Sequence, residues 1–240
     1  MTVRVFQKGF NFSQDGPGNR LVLHLQGCTL RCPWCSNPEG IDEAGGEEIQ
    51  TSALAAEAAA SAKLFFSGGG VTLTGGEPAM CFEAFTELLG ELKKKGIHTA
   101  VETNAVQPRL PEAFGLIDYL MIDCKHYDSD THERFTGSGN EAVLANIEAA
   151  ARERQQLHIR IPLIKGFNAS PDDARAFLKL FRRLGAEKAD YEALKYHEYG
   201  RGKWEKLGLE YKVKDGFISK RAFGAFTKIL ADGGLRLIAT

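Results

Sequence analysis

The chain has 240 residues, 43% of them hydrophobic, with 30 Lys and Arg against 31 Asp and Glu for a formal charge of −1. That is enough apolar material for one α/β domain or two small ones, and the even charge excludes a general attraction to nucleic acid or anionic membranes. No apolar run reaches the ~18 residues of a membrane helix, and the N-terminus lacks the apolar core of a secretory signal, so no membrane association and a cytoplasmic location are expected.

Strand-like and helix-like segments alternate along the chain. Leu21–Gln26 is apolar and β-rich and predicts the first core strand. Ala53–Phe66 is alanine-rich and helical by propensity. Gly68, Gly69 and Gly70 lead into a short strand over Val71–Thr74. Phe82, Phe85, Leu88, Leu89 and Leu92 then recur at a helical period, and Lys93-Lys94-Lys95 closes that helix where cations suit its dipole. Strands are predicted over Ile97–Thr103 and Tyr119–Asp123, followed by a helix marked by Val143, Leu144 and Ile147. Leu157–Ile164 alternates apolar and polar residues through Arg160. Ser170 can cap the next helix with Pro171 in its first turn, and Phe177, Leu178, Phe181 and Leu184 give it an apolar stripe. Tyr191–Tyr196 and Leu235–Ile238 are weaker strands flanking a last helix that carries Phe223, Phe226, Ile229 and Leu230.

Such alternation predicts the α/β class, a mostly parallel sheet with right-handed crossovers. Six units of this kind make a partial (β/α)6 TIM-like barrel. No internal repeat or linker divides the chain, so one domain over residues 1–240 is expected, with residues 1–20 as an N-terminal extension. Ligands in such folds sit at the carboxyl ends of the strands, and the unusual residues of this sequence all follow strands.

Five cysteines is an odd number, and three of them fall in the segment Cys28–Cys35. That is not a disulfide framework; in a reducing compartment it reads as a metal site. The spacing is C-x3-C-x2-C, with Cys28, Cys32 and Cys35 as the candidate ligands. Thiolates suit zinc or iron–sulfur clusters. A fully ligated cubane takes four cysteines, so three leave one iron open, and an open position on a metal is where substrate binds. Structural zinc is the alternative, with a fourth ligand from Cys81, Cys124 or a histidine. Those two cysteines stand alone, however, and are expected to be buried.

Other positions carry chemistry with a bland reading beside it. Gly75 and Gly76 let backbone approach a ligand closely before Glu77, although a Gly-Gly pair is often only a turn. Period two puts Asp123 and Lys125 on one face of a strand end and Cys124 on the other; they form either a functional pair or a structural ion pair. Arg160 interrupts an apolar strand, which costs several kcal/mol unless the charge is paired, faces a cavity or lies on an exposed face. His197 follows a weak strand, and a lone histidine is usually no ligand.

Taken together, C-x3-C-x2-C with Trp34 before its last cysteine resembles the signature of radical S-adenosylmethionine enzymes, and Gly75-Gly76-Glu77 resembles their GGE segment. The resemblance implies the radical SAM fold and one [4Fe–4S] cluster whose open iron is chelated by the methionine moiety of S-adenosylmethionine. Reduction then yields methionine and a 5′-deoxyadenosyl radical. Asp15-Gly16-Pro17-Gly18, Glu102-Thr103-Asn104, Asp123-Cys124-Lys125 and Tyr196-His197 through Gly200, Lys203, Trp204 and Gly208 follow in the order of the glycyl-radical-enzyme activating enzymes. That family takes a hydrogen from one glycine of a partner enzyme, here of the pyruvate formate-lyase type or a related one, with flavodoxin or ferredoxin as electron donor.

By this resemblance Trp34 and Asn37 contact the adenine end of the cofactor, Gly76 and Glu77 its amino group, and Asp123, Lys125, Arg160 and His197 its remainder. Glu102, Thr103, Asp123 and the Met121 carbonyl match the family's monovalent-cation pocket, with Glu102 standing where the family has a shorter Asp. Asp15 resembles the residue that receives the partner's glycine loop. No cysteine lies between Ser36 and Met80, so no ferredoxin-like insert and no second cluster are expected. Trp34-Cys35-Ser36-Asn37-Pro38-Glu39 looks more like the longer activases. A radical SAM enzyme acting on a small molecule or peptide shares the cofactor chemistry but not the DGPG or YHxxG segments.

Overall fold

In the computed structural model, which describes residues 1–12, 14–153 and 155–238, the chain gathers into two units built from interleaved segments. One comprises Met1–Thr29, Asn37–Thr103 and Arg109–Met121; the other comprises Leu30–Ser36, Asn104–Pro108 and Ile122–Thr240.

The first unit contains β1 (Thr2–Phe12), β2 (Asn19–Leu25), β3 (Glu47–Gln50), α1 (Thr51–Ala60), β4 (Gly70–Gly75), α2 (Phe82–Lys94), β5 (Thr99–Thr103) and the start of β6 (Tyr119–Asp123). Strand order is β3-β1-β2-β4-β5-β6. β1 runs antiparallel to β2 and β3, whereas β2, β4 and β5 are parallel. Residues 2–12 of the expected N-terminal extension form a sheet strand. Their signal is weak because only Val3 and Val5 point into the core while residues 7–10 are exposed. β3 escapes prediction for the same reason, with Ile49 its one partly buried residue.

Period two divides these strands into two faces. Leu21, Leu23 and Leu25, Val71 and Leu73, and Val101 share one face and are almost wholly buried. Phe85, Leu88, Leu89 and Leu92 form the apolar stripe of α2 and lie fully inside. The other face carries Arg20, Val22 and His24 on β2, Thr72 and Thr74 on β4, Ala100 and Glu102 on β5, and Tyr119 and Met121 on β6. A polar inner face of this kind is affordable only where every group finds a partner or a ligand.

The second unit contains the end of β6, then α3 (Ser129–Thr136), α4 (Glu141–Arg152), β7 (Leu157–Leu163), α5 (Pro171–Arg183), β8 (Asp190–Lys195), α6 (Arg201–Lys206), α7 (Lys220–Asp232) and β9 (Arg236–Leu237). β7, β8 and β9 are parallel, and the Cys124 amide just beyond β6 donates to the Arg160 carbonyl at 2.9 Å. α5 begins as its sequence demands. The Ser170 hydroxyl accepts from the Asp173 amide while the Asp173 side chain accepts from the Ser170 amide, a reciprocal cap. Phe177 packs its ring on Phe181 and Phe226 at 5.8 and 6.1 Å, and Phe181 meets Tyr191 at 4.8 Å, so aromatic area dominates this core. Parallel strands joined through helices recur in both units, which is the expected α/β class with a mostly parallel sheet.

Candidate functional site

In the first unit the cysteine loop leaves the carboxyl end of β2 over a bed of glycines. The Gly27 amide donates to the Gly40 carbonyl at 2.9 Å and the Cys28 amide to the Ile41 carbonyl at 3.1 Å. The turn after β4 locks onto the same stretch, with Gly76 N donating to Leu25 O at 2.9 Å and Glu77 N to Gly27 O at 2.7 Å. A Cβ on Gly76 would stand 2.2 Å from the Gly27 oxygen and 2.4 Å from the Gly40 oxygen, so only glycine fits. Glu77 is buried; its Oε1 accepts from the Thr103 hydroxyl at 2.6 Å and from the Ala79 amide at 3.0 Å. Its carboxylate thus braces the turn against the end of β5, and the backbone of this turn is the part that lies along the cysteine loop.

On the polar face, the Thr74 hydroxyl donates to Glu102 at 3.2 Å, and Met121 is fully buried on the neighbouring β6. Thr103 lies on the opposite face from Glu102, as its bond to Glu77 requires. Cys28, Asn37 and Asp15 are half-buried. The Asp15 side chain accepts from Asn11, and its carbonyl accepts from the Thr72 hydroxyl at 2.6 Å. Thr72 in turn accepts from Arg20, a fully buried arginine that also donates to the carbonyls of Pro17 at 3.0 Å, Val71 at 2.6 Å and His98 at 3.2 Å. Burial brings the Arg20 pKa down to about 10, so the guanidinium stays charged at neutral pH. Burial, followed by that neighbouring charge, pushes His98 below its ordinary value.

The second unit holds Cys32, buried, and Cys35, half-buried. The Cys35 amide donates to the Cys32 carbonyl at 3.1 Å, and Arg31 N donates to Thr136 O at 2.7 Å at the end of α3. Trp34 packs on Phe167 at 4.8 Å and Phe135 at 6.4 Å. From far along the chain, Trp204 Nε1 donates to the Cys35 carbonyl at 2.9 Å. Asp123 and Lys125 share a face as expected, with Nζ to Oδ2 at 2.6 Å. Cys124, on the other face, is fully buried, and burial pushes its thiol up to about 12. Arg160 is buried rather than on an exposed face. Its Nε donates to Glu192 at 3.2 Å, and His158 Nε2 lies 3.4 Å from the same oxygen. His197 is half-buried, its pKa lowered by that burial, and its ring stacks on Tyr199 at 4.2 Å.

The structure thus brings together Gly76 and Glu77 with the start of the cysteine loop, Glu102 with the polar face, and Asp123 with Lys125. Cys81 departs from expectation. It is exposed, because it caps α2 just before the apolar stripe begins at Phe82. Arg20, Glu192 and Trp204 were not singled out as site residues by the sequence; Arg20 stands just before the predicted Leu21–Gln26 strand but inside β2. Among the described residues no three His, Cys, Asp or Glu side chains converge as they would on a single metal ion. A cubane, with each thiolate on its own iron, asks no such convergence. The loop supplies three soft thiol donors by sequence and no fourth, and within the first unit its start runs along a cradle that a Cβ at Gly76 would fill; this donor set fits a cluster with one open corner.

The sequence profile of the Radical SAM superfamily matches residues 22–180. The pyruvate formate-lyase-activating enzyme of Staphylococcus aureus (strain USA300) is 35% identical over 213 residues, covering 84% of each chain. Among solved structures, a domain of pyruvate-formate lyase-activating enzyme from Bacteroides vulgatus ATCC 8482 aligns with a TM-score of 0.60 and 31% identity, covering 71% of this chain and 98% of that one. A radical SAM methyltransferase from Sphaerobacter thermophilus reaches a TM-score of 0.71 at 16% identity, covering 96% and 68%, a likeness of fold.

Proposed function

The chain belongs to the radical SAM superfamily, in the family of pyruvate formate-lyase-activating enzymes, and from that premise we propose that it activates a glycyl radical enzyme by taking a hydrogen from one of its glycines. The observation that carries this reading is 35% identity sustained over 84% of both chains, with the activase motifs in order along it. The family profile matches residues 22–180, and residues 1–240 are read as a single radical SAM domain.

Cys28, Cys32 and Cys35 hold the cluster in this reading. When bound, the cluster supplies the electron that splits S-adenosylmethionine into methionine and the 5′-deoxyadenosyl radical. The chain's own residues orient and enclose. The turn at Gly76 and Glu77 offers backbone to the methionine amino group, its side chain already committed to Thr103 and Ala79. Trp34 and Asn37 serve the adenine end. Lys125, Arg160 and His197 meet the remaining polar atoms of the cofactor. The Asp123 and Glu192 carboxylates pair with Lys125 and Arg160, which offsets the cost of holding these cations under cover. The family's monovalent cation would fall to Glu102, Asp123 and the Met121 carbonyl, whereas the Thr103 hydroxyl is given to Glu77 on the other face of β5. Asp15 receives the partner's glycine loop.

Flavodoxin or ferredoxin is the proposed electron donor, the cytoplasm the proposed location, and neither nucleic acid nor membrane is a proposed partner. Among the described residues no helix is long and apolar enough to cross a membrane.

The test is anaerobic incubation of the reconstituted protein with S-adenosylmethionine, a reductant and a co-encoded glycyl radical enzyme. A glycyl doublet in the electron paramagnetic resonance spectrum is expected. An intact cluster that cleaves the cofactor but yields no doublet points instead to a different substrate.

A further inference from the structure

Both peptide groups of Cys35 are tied down, one from within its loop and one from outside. Its amide donates to the Cys32 carbonyl at 3.1 Å, and its own carbonyl accepts the Trp204 indole N–H at 2.9 Å. These partners are 169 residues apart in sequence. Trp204 is itself held at two points, the second of them braced in turn. Its amide donates to the Gly200 carbonyl at 3.1 Å, its ring meets Tyr211 edge-on at 6.0 Å, and the Tyr211 hydroxyl lies 2.8 Å from that of Tyr196 at the end of β8. Gly200 makes the approach feasible. A Cβ there would stand 2.4 Å from the Cys35 oxygen and 2.8 Å from the Ser36 Cα, too close for any side chain.

We propose that Gly200 and Trp204 form a latch that positions Cys35 as a cluster ligand and keeps the cluster from being lost. The inference rests on the reading of Cys35 as a ligand. Its physical content is that the carbonyl contact fixes the peptide plane after Cys35. A plane free to rotate would swing the Cα and thiolate of the last ligand away from the others. Groups that orient a metal ligand from behind commonly change metal retention by ten- to a hundredfold. Trp204 touches no reacting atom in this reading and is a positioning residue.

The test compares wild type, Trp204→Phe and Gly200→Ala, each a full-length chain with an anaerobically reconstituted cluster. Phe keeps a ring for Tyr211 and removes the N–H; Ala leaves Trp204 intact and forces the strand of the loop away. The readout is the rate at which the cluster's visible absorption bleaches in EDTA, with thermal melting of each apo-protein as a fold control. Both variants should lose the cluster about tenfold faster than wild type, with apo-protein melting unchanged for Trp204→Phe and lowered for Gly200→Ala by its backbone clash. Bleaching of both at the wild-type rate overturns the latch. So does faster bleaching of Trp204→Phe that is matched by an equal fall in apo-protein stability, because the contact would then serve the fold alone. Cys35→Ala is the separate control: if it retains wild-type iron, the ligand reading fails, and the latch fails with it for a distinguishable reason.

Discussion

Replacing Cys28, Cys32 or Cys35 singly with alanine is expected to abolish reductive cleavage of S-adenosylmethionine, with 5′-deoxyadenosine falling by at least about three orders of magnitude, or about 4 kcal/mol of barrier. In the proposed site each thiol would be the sole protein ligand of one iron, and the loop holds no spare sulfur. Cys124 cannot substitute, since it is fully buried with its thiol held neutral by desolvation. Cys81 is the informative control. It is exposed at the start of α2, makes no part of the proposed ligand set, and Cys81→Ala should retain full cleavage. Iron content and deoxyadenosine yield, measured together by chromatography on anaerobically reconstituted protein, decide the matter. A single-cysteine variant with wild-type iron and wild-type yield would remove that residue from the site.

The second large effect concerns Arg20. It lies fully inside the first unit and donates to Thr72 and to three backbone carbonyls, those of Pro17, Val71 and His98. Arg20→Leu removes the guanidinium donors from all four acceptors, of which the Thr72 hydroxyl and Val71 carbonyl bonds are buried, and breaking a buried charged network of this kind costs about 3–5 kcal/mol. For a chain of this size that is a fall in melting temperature of about 10 °C. Arg20→Lys should recover little, because an ammonium cannot reproduce the planar fork that reaches several acceptors at once. Through Thr72 the arginine also holds the Asp15 carbonyl, so glycyl radical yield should fall further than uncoupled cofactor cleavage. Denaturant melts together with the two assays check this, and a loss under about 1 kcal/mol would show that Arg20 is not the keystone of the Asp15 loop.

How much of this was legible from the sequence follows from the range of each interaction. β6 occupies the predicted Tyr119–Asp123, and α5 starts at Pro171 behind its Ser170 cap, because alternation and capping are local signals. The shared face of Asp123 and Lys125 was readable from period two alone. β1 and β3 were not, since an antiparallel edge with one solvated side carries few apolar residues. α3 and α6 were missed as helices because they are short and almost entirely polar, leaving no stripe to detect. Cys81 looked like a buried thiol but sits on the solvent side of a helix start, a distinction that composition does not encode.

The candidate site divides along the same line. The cysteine spacing and the Gly-Gly-Glu turn were visible as motifs. What Glu77 does with its carboxylate was not, because its partners, the Thr103 hydroxyl and the Ala79 amide, are chosen by how the ends of β4 and β5 lie together. Arg160 announced itself as a charge in an apolar strand, yet only the register that sets it opposite Glu192 shows that it is paired.

The most direct test of the proposed activity follows one atom. A co-encoded glycyl radical enzyme is produced with glycine deuterated at the α-carbon and incubated anaerobically with this protein, S-adenosylmethionine and reductant. Deoxyadenosine recovered from the mixture should be one mass unit heavier, with the deuterium on its 5′ carbon and a glycyl radical left on the partner. Deoxyadenosine formed at full yield but free of deuterium would contradict hydrogen abstraction from the partner's glycine.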